Sequence, residues 1–286
     1  MSSALALLRR AAELTYEENC LSISKGAAYS ALLSFFPVLT TLATILVQAR
    51  APAVSQIFSK FLAEVVPPGA QELVLNRFAV EGERPLSLLI GAVLLSLYAA
   101  SGVMLSLMEG FRAVYHIPVT RPWWKERLVA AMLVFASALP AIGASVLIIL
   151  GNRTERYVIE AIGGFLPGQA IAGGLLLAGE IVRFFIALSA VVLVTMLLYK
   201  IGPNRSQPWS RIWRGAVTAA ALWFLLTLGF SWYVRNLANY NVMYGSVATV
   251  AALIVWMYLL SVIVLYGCAY NAAWEEARHS RPATAA

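Results

Sequence analysis

Glu180 and Arg183 lie in the run GLLLAGEIVRFFIALSAVVLVTMLLY, residues 174–199, which carries no other charge. About 20 apolar residues cross the ~30 Å of hydrocarbon in a bilayer, so this run is long enough to span one. An ionisable side chain in lipid costs roughly 3 kcal/mol on insertion scales, so the pair must face protein or water. Three residues apart, the two share a face of a helix. An arginine so placed attracts an anionic headgroup. A glutamate beside it holds the arginine or takes up a proton. A buried structural pair, or an arginine snorkelling to the outer interface, is the alternative.

Other chemistry is poorly supplied. The chain has no Asp, and all 14 of its acids are Glu. Its two histidines, His116 and His279, are distant, and so are its two cysteines, Cys20 and Cys268. Metal-assisted phosphodiester cleavage needs clustered carboxylates or histidines, and metal-free cleavage needs a convergent acid and base. The sequence offers neither, so no catalytic residue, metal or other cofactor is expected, and nuclease activity is disfavoured. No CxxC spacing and no structural disulfide are expected.

Further polar residues recur within apolar runs. Gly26, Ser30, Ser34, Pro37, Thr41 and Thr44 form a small and polar stripe down one helix face. Such a stripe is either a tight helix–helix seam or one wall of a polar path. Pro37 in this run and Pro140 in a later one are expected to kink their helices. Near the end, Ser261, Cys268 and Asn271 share a face. The candidate substrate path is therefore Glu180, Arg183, Ser30, Ser34, Thr41 and Asn271.

The elements that would carry these residues follow from composition. Of 286 residues 60% are hydrophobic and 12% charged, and the mean hydropathy is +0.77. A soluble domain needs about twice that charge, and continuous apolar runs do not suit an outer-membrane barrel. The expectation is an all-α polytopic membrane protein. Its six spans are read at about 26–48, 85–108, 128–151, 174–199, 213–236 and 244–274. Residues 1–25 read as a cytoplasmic interfacial segment, with Leu5, Leu8, Ala12 and Tyr16 on its apolar face, or as a simple cytoplasmic lead-in. No cleavable signal peptide is evident there. Short surface helices are expected within 51–84 and 152–173, and residues 275–286 form a tail. Trp123 and Trp124 beside Lys125 and Arg127 read as an interface anchor.

The net charge is +7. In a membrane protein this charge reads as topology signal and contact with anionic lipid rather than with nucleic acid. Thirteen Lys and Arg fall on the side of the termini and seven on the other. Both termini are therefore expected in the cytoplasm, with Glu180 approached from the outer side.

Three stretches carry a resemblance. KGAAYSALLSFFPVLTTL (25–42) resembles the first-span signature of the YihY/BrkB family of bacterial inner-membrane proteins. YKIGPNRSQPWSRIWRGAVTAAALW (199–223) and YGSVATVAALIVWMYLLSVIVLYGCAYNAA (244–273) resemble its later signature. The resemblance implies six helices in the inner membrane with cytoplasmic termini. The family once carried a ribonuclease label. One member is linked to serum resistance of a pathogen and another to export of lipid A precursors, with no molecular activity settled. Many members have Glu two residues after the last-span glycine, where this chain has Gly267-Cys268-Ala269. Two functions follow as expectations. One is a transporter or flippase-like protein for an anionic amphiphile. The other is a scaffold that binds anionic lipid or a partner complex, with homo-oligomers possible in either case.

Overall fold

The computed structural model describes residues 4–48, 86–119, 121–163, 169–237 and 245–279. These form seven helices: α1 (Ala4–Glu17), α2 (Cys20–Gln48), α3 (Leu86–Val114), α4 (Trp123–Gly163), α5 (Gln169–Ile201), α6 (Trp209–Leu237) and α7 (Gly245–His279). No strand occurs among the described residues. Five described stretches are long and apolar enough to cross a membrane: Ile90–Val114, Trp123–Ala144, Gly179–Ile201, Trp209–Tyr233 and Val250–His279.

Several helices outrun the expected spans. α2 begins at Cys20 rather than Gly26, and α4 continues to Gly163, where a loop with a separate surface helix was expected. Apolar content marks where a helix is greasy, not where its backbone hydrogen bonding stops. Pro37 sits inside α2 and Pro140 inside α4, with helix on both sides. The surface helices expected within 51–84 lie outside the described residues.

The α1 segment has, besides its expected apolar face, a second face that docks on the bundle. Its buried residues are Ala11, Leu14 and Thr15, whereas Leu5 and Tyr16 are exposed. It packs chiefly on α7, and the Tyr266 hydroxyl donates to the Leu8 carbonyl at 2.9 Å. α1 therefore docks on the bundle through Ala11, Leu14 and Thr15. The corner into α2 is made by Asn19 at φ 54°, a left-handed conformation that asparagine tolerates well.

Each of the six long helices packs on its chain neighbours, and α7 returns to α2, closing a ring in chain order. The buried core gathers at one end of this ring. It comprises the start of α2, α4 and α6 and the finish of α3, α5 and α7, with α1 docked beside them. We call this the terminal end, because the first and last described helices meet there.

Its centre is a contact between glycines. A Cβ placed on Gly215 would strike the Gly267 carbonyl oxygen and the Asn271 side chain. A Cβ on Gly267 would meet the Tyr199 hydroxyl and, at 2.6 Å, the Gly215 carbonyl oxygen. Backbones that close bring polar groups within reach. Asn271 Oδ1 accepts from Gly215 N–H at 2.7 Å, and its Nδ2 donates to the Ile212 carbonyl at 3.1 Å. Tyr199, fully buried, donates to the Val264 carbonyl at 2.6 Å and meets the edge of Phe111 at 5.4 Å. α3, α5, α6 and α7 are thus joined around one tyrosine.

Two predictions follow. Gly215→Ala forces the α6 and α7 backbones apart, an overpacking cost of about 1–3 kcal/mol, whereas Gly229 on the same helix has nothing within 4 Å of a Cβ. Thermal unfolding of the detergent-solubilised protein should drop by several degrees for Gly215→Ala and hold or rise for Gly229→Ala. Equal effects would remove the glycine contact as a cause. The second prediction concerns Cys20, whose buried thiol is pushed up to about 11, first by burial and then by Glu18. An exposed thiol ionises near ~8.5. The neutral buried form therefore contributes stability below that pH, and the contribution is lost as pH rises toward 11. A permeant maleimide should leave Cys20 unmodified from pH 7 to 9 in the folded protein and label it after denaturation.

Candidate functional site

Glu180 and Arg183 stand on α5 far from the terminal end. At ~1.5 Å per residue, Glu180 is about 28 Å along the helix from Tyr199. Glu180 is exposed and Arg183 partly buried, and Arg183 has an interaction of its own. One turn on from Glu180, Phe184 packs edge-on against Phe224 of α6 at 5.3 Å. The charged pair is therefore held on a helix fastened to its neighbour by an aromatic contact.

The α2 stripe turns toward α3. A Cβ on Gly102 would lie 3.2 Å from Ser30 Oγ, and one on Gly26 would lie 3.6 Å from Ser106 Oγ. Ser34 is buried and donates to the Ala31 carbonyl of its own helix at 2.9 Å. Thr41 donates to Ser96 Oγ at 3.4 Å. These residues form a small-residue seam in which the hydroxyls of Ser34, Thr41, Ser96 and Ser106 are satisfied by their own backbone or by one another. Asn271, in the terminal-end contact, is 2% exposed with both ends of its amide engaged. The six path candidates therefore fall in three places: the α5 pair, the α2–α3 seam, and the α6–α7 contact.

The terminal end carries a second polar layer that sequence patterning did not single out. Tyr115 donates to Gln207 Oε1 at 3.4 Å, and burial pushes its phenol well above the usual range. Lys200 donates to the Gln207 carbonyl. Ser24 Oγ and Gln207 Nε2 are buried without a hydrogen-bond partner. Glu275, nearly buried, meets Arg205 at 3.0 Å and Arg211 at 3.7 Å. Arg112 and Glu126 form an ion pair that joins α3 to α4. Arg10 of α1 reaches Glu276 at 3.2 Å. The signal available beforehand was the polar loop 202–208, but nothing in its spacing reveals that Glu275 is its counter-charge. At the same end, Trp123 and Trp124 are exposed, Lys125 stacks on Trp124 at 5.2 Å, and Arg127 turns onto the Tyr98 ring at 3.9 Å.

Among the described residues, no three of His, Cys, Asp and Glu converge to hold a metal ion. The arrangement offers hydrogen-bonded packing at one end and a polar pair within an apolar helix toward the other. Ala269, where many members of the resembled family have Glu, is fully buried.

The chain matches the model of the family described as Virulence factor BrkB over residues 12–286. It is 26% identical to the putative ribonuclease-like protein YfkH of Bacillus subtilis, covering 88% of each chain. It is 28% identical to a UPF0761 membrane protein of Alteromonas mediterranea, covering 93% of this chain and 87% of that one. Against a UPF0761 membrane protein of Chromobacterium violaceum the identity is 27%, over 89% of this chain and 59% of the relative. The chain thus spans little more than half of that longer protein. No solved structure matches. With its apolar helices and a family match running nearly end to end, the chain belongs to the Virulence factor BrkB family as an integral membrane protein.

Proposed function

We propose that this chain is an inner-membrane transporter or flippase-like protein for an anionic amphiphile or lipid, with Glu180 and Arg183 as its polar contact. The observation that carries this reading is the exposed Glu180 in a helical stretch of mean hydropathy 2.6. Acyl chains do not solvate a carboxylate, and ionisable groups in spans mark polar pathways. Arg183 supplies the charge that an anionic headgroup needs. Glu180 balances it between turnovers or carries a proton. Ser34, Thr41 and Asn271 have hydrogen-bond partners and Ser30 faces Gly102 of α3, so the narrowed path rests on the α5 pair. In this reading α2 is a sixth span, both termini are cytoplasmic, and the packed terminal end closes the inner side.

A scaffold is the second reading. The observation favouring it is the α2–α3 seam, where the polar stripe is spent on packing rather than on a lumen. Ribonuclease activity, suggested by the name of the Bacillus relative, is not proposed. Glu126, Glu275 and Glu276 are each paired with an arginine, His116 lies 3.7 Å from Glu18 at the α1–α2 corner, and among the described residues no cluster of His, Cys, Asp and Glu could hold a metal ion.

Reconstitution into vesicles holding a fluorescent phosphatidylglycerol, with leaflet exchange read by quenching, tests the reading. Wild type should exchange the lipid. Arg183→Ala and Glu180→Gln should assemble normally and lower the rate tenfold or more, about 1.4 kcal/mol in barrier. No exchange by wild type would leave the scaffold. Loss of either variant from the membrane would make the pair structural.

A further inference from the structure

At the terminal end, α6 and α7 hold two arginines against one indole. The guanidinium carbon of Arg214 lies 3.9 Å from the Trp274 ring centroid and that of Arg278 lies 4.7 Å from it. Arg214 is also 5.6 Å from the Trp213 ring. Because both are measured to one centroid, the two charges are less than about 9 Å apart, a distance at which like charges repel.

The neighbouring acids are committed elsewhere. Glu275 is held by Arg205 and Arg211, and Glu276 by Arg10. Among the described residues, no carboxylate lies within ion-pair distance of Arg214 or Arg278. The ring face partly offsets their charge. A guanidinium that meets an aromatic ring keeps N–H donors on its edge, and those donors match the oxygens of a phosphate.

The cluster also sits at the right level. Arg278 is exposed and Trp274 partly so, and Trp209 and Trp213 are each 45% exposed. These residues lie where the apolar stretches Trp209–Tyr233 and Val250–His279 begin and end. Tryptophans gather at the headgroup level of a bilayer.

We propose that Arg214 and Arg278, on the indoles of Trp213 and Trp274, form a binding site for the phosphate group of an anionic phospholipid in the leaflet at the terminal end. The site is separate from the α5 pair and does not depend on transport. The lipid phosphate bridges the two guanidinium edges and relieves their repulsion, while the exposed Trp213 lies against the glycerol and the upper acyl chain.

The test uses the full-length protein, delipidated in detergent and titrated with phosphatidylglycerol, phosphatidylcholine or inorganic phosphate, with bound lipid counted by native mass spectrometry. Wild type should retain phosphatidylglycerol over phosphatidylcholine. Arg278→Gln, at an exposed position in the last turn of α7, should weaken that binding about fivefold. Arg214→Gln with Arg278→Gln should weaken it more than tenfold. Arg9→Gln, whose partner is Glu13, should leave it unchanged. Should the double variant fail to fold, Arg278→Gln alone decides the matter. Equal retention of the two lipids, or no effect of Arg278→Gln, would overturn the site. Displacement of the lipid by an equal concentration of inorganic phosphate would overturn its assignment to lipid.

Discussion

The close approach of Gly215 and Gly267 is the contact on which the rest of the bundle depends. In a bilayer the tails are as apolar as leucine, so helices gain little by hiding apolar surface from them. They gain instead from short backbone distances and from hydrogen bonds between helices. Two glycines bring α6 and α7 together, and Asn271 then spans the gap to the α6 backbone. Tyr199 fills the space beside them with its hydroxyl on α7 and its ring on Phe111 of α3. Once this junction is set, Leu265 of α7 packs on Gly110 of α3. Cys20, Cys268 and Ala269 are then buried.

Around that apolar and hydrogen-bonded centre lies a rim of charge. Glu275 draws the loop residue Arg205 and α6 residue Arg211 to α7, and Arg112 with Glu126 holds the turn between α3 and α4. A partly buried ion pair recovers its desolvation cost only with good geometry and further hydrogen bonds. Such pairs serve registry here: they fix which loop lies on which helix end. The exposed Arg9–Glu13 pair adds little by comparison.

The helical class and most helices were legible, because apolar runs of spanning length leave few other options. Boundaries were less so: α2 starts at Cys20 and α4 ends at Gly163, and polar residues at helix ends carry no hydropathy signal. The apolar face of α1 was read from Leu5, Leu8, Ala12 and Tyr16; the docking face of Ala11, Leu14 and Thr15 was not, because one helix does not show that α7 packs against it. For the stripe of Ser30, Ser34 and Thr41, one helix gives the period but not what the face meets. Asn271 read as a path candidate because its two partners, 56 and 59 residues away, leave no mark in the spacing of its own helix. The α5 pair was visible at once, since its cost in lipid is written in its composition.

The chain-order ring has a consequence for biogenesis. Neighbours in sequence are neighbours in space, so each new hairpin can pair with the one before it as translation proceeds. The exception is α7, which touches α1, α2 and α3, made well before it. Until the ribosome releases α7, the nascent bundle lies open along one side, with the glycine face of α6 unmet. A chain stopped before that point would present an unfinished seam to membrane quality-control proteases. α7 is therefore the helix whose arrival closes the ring.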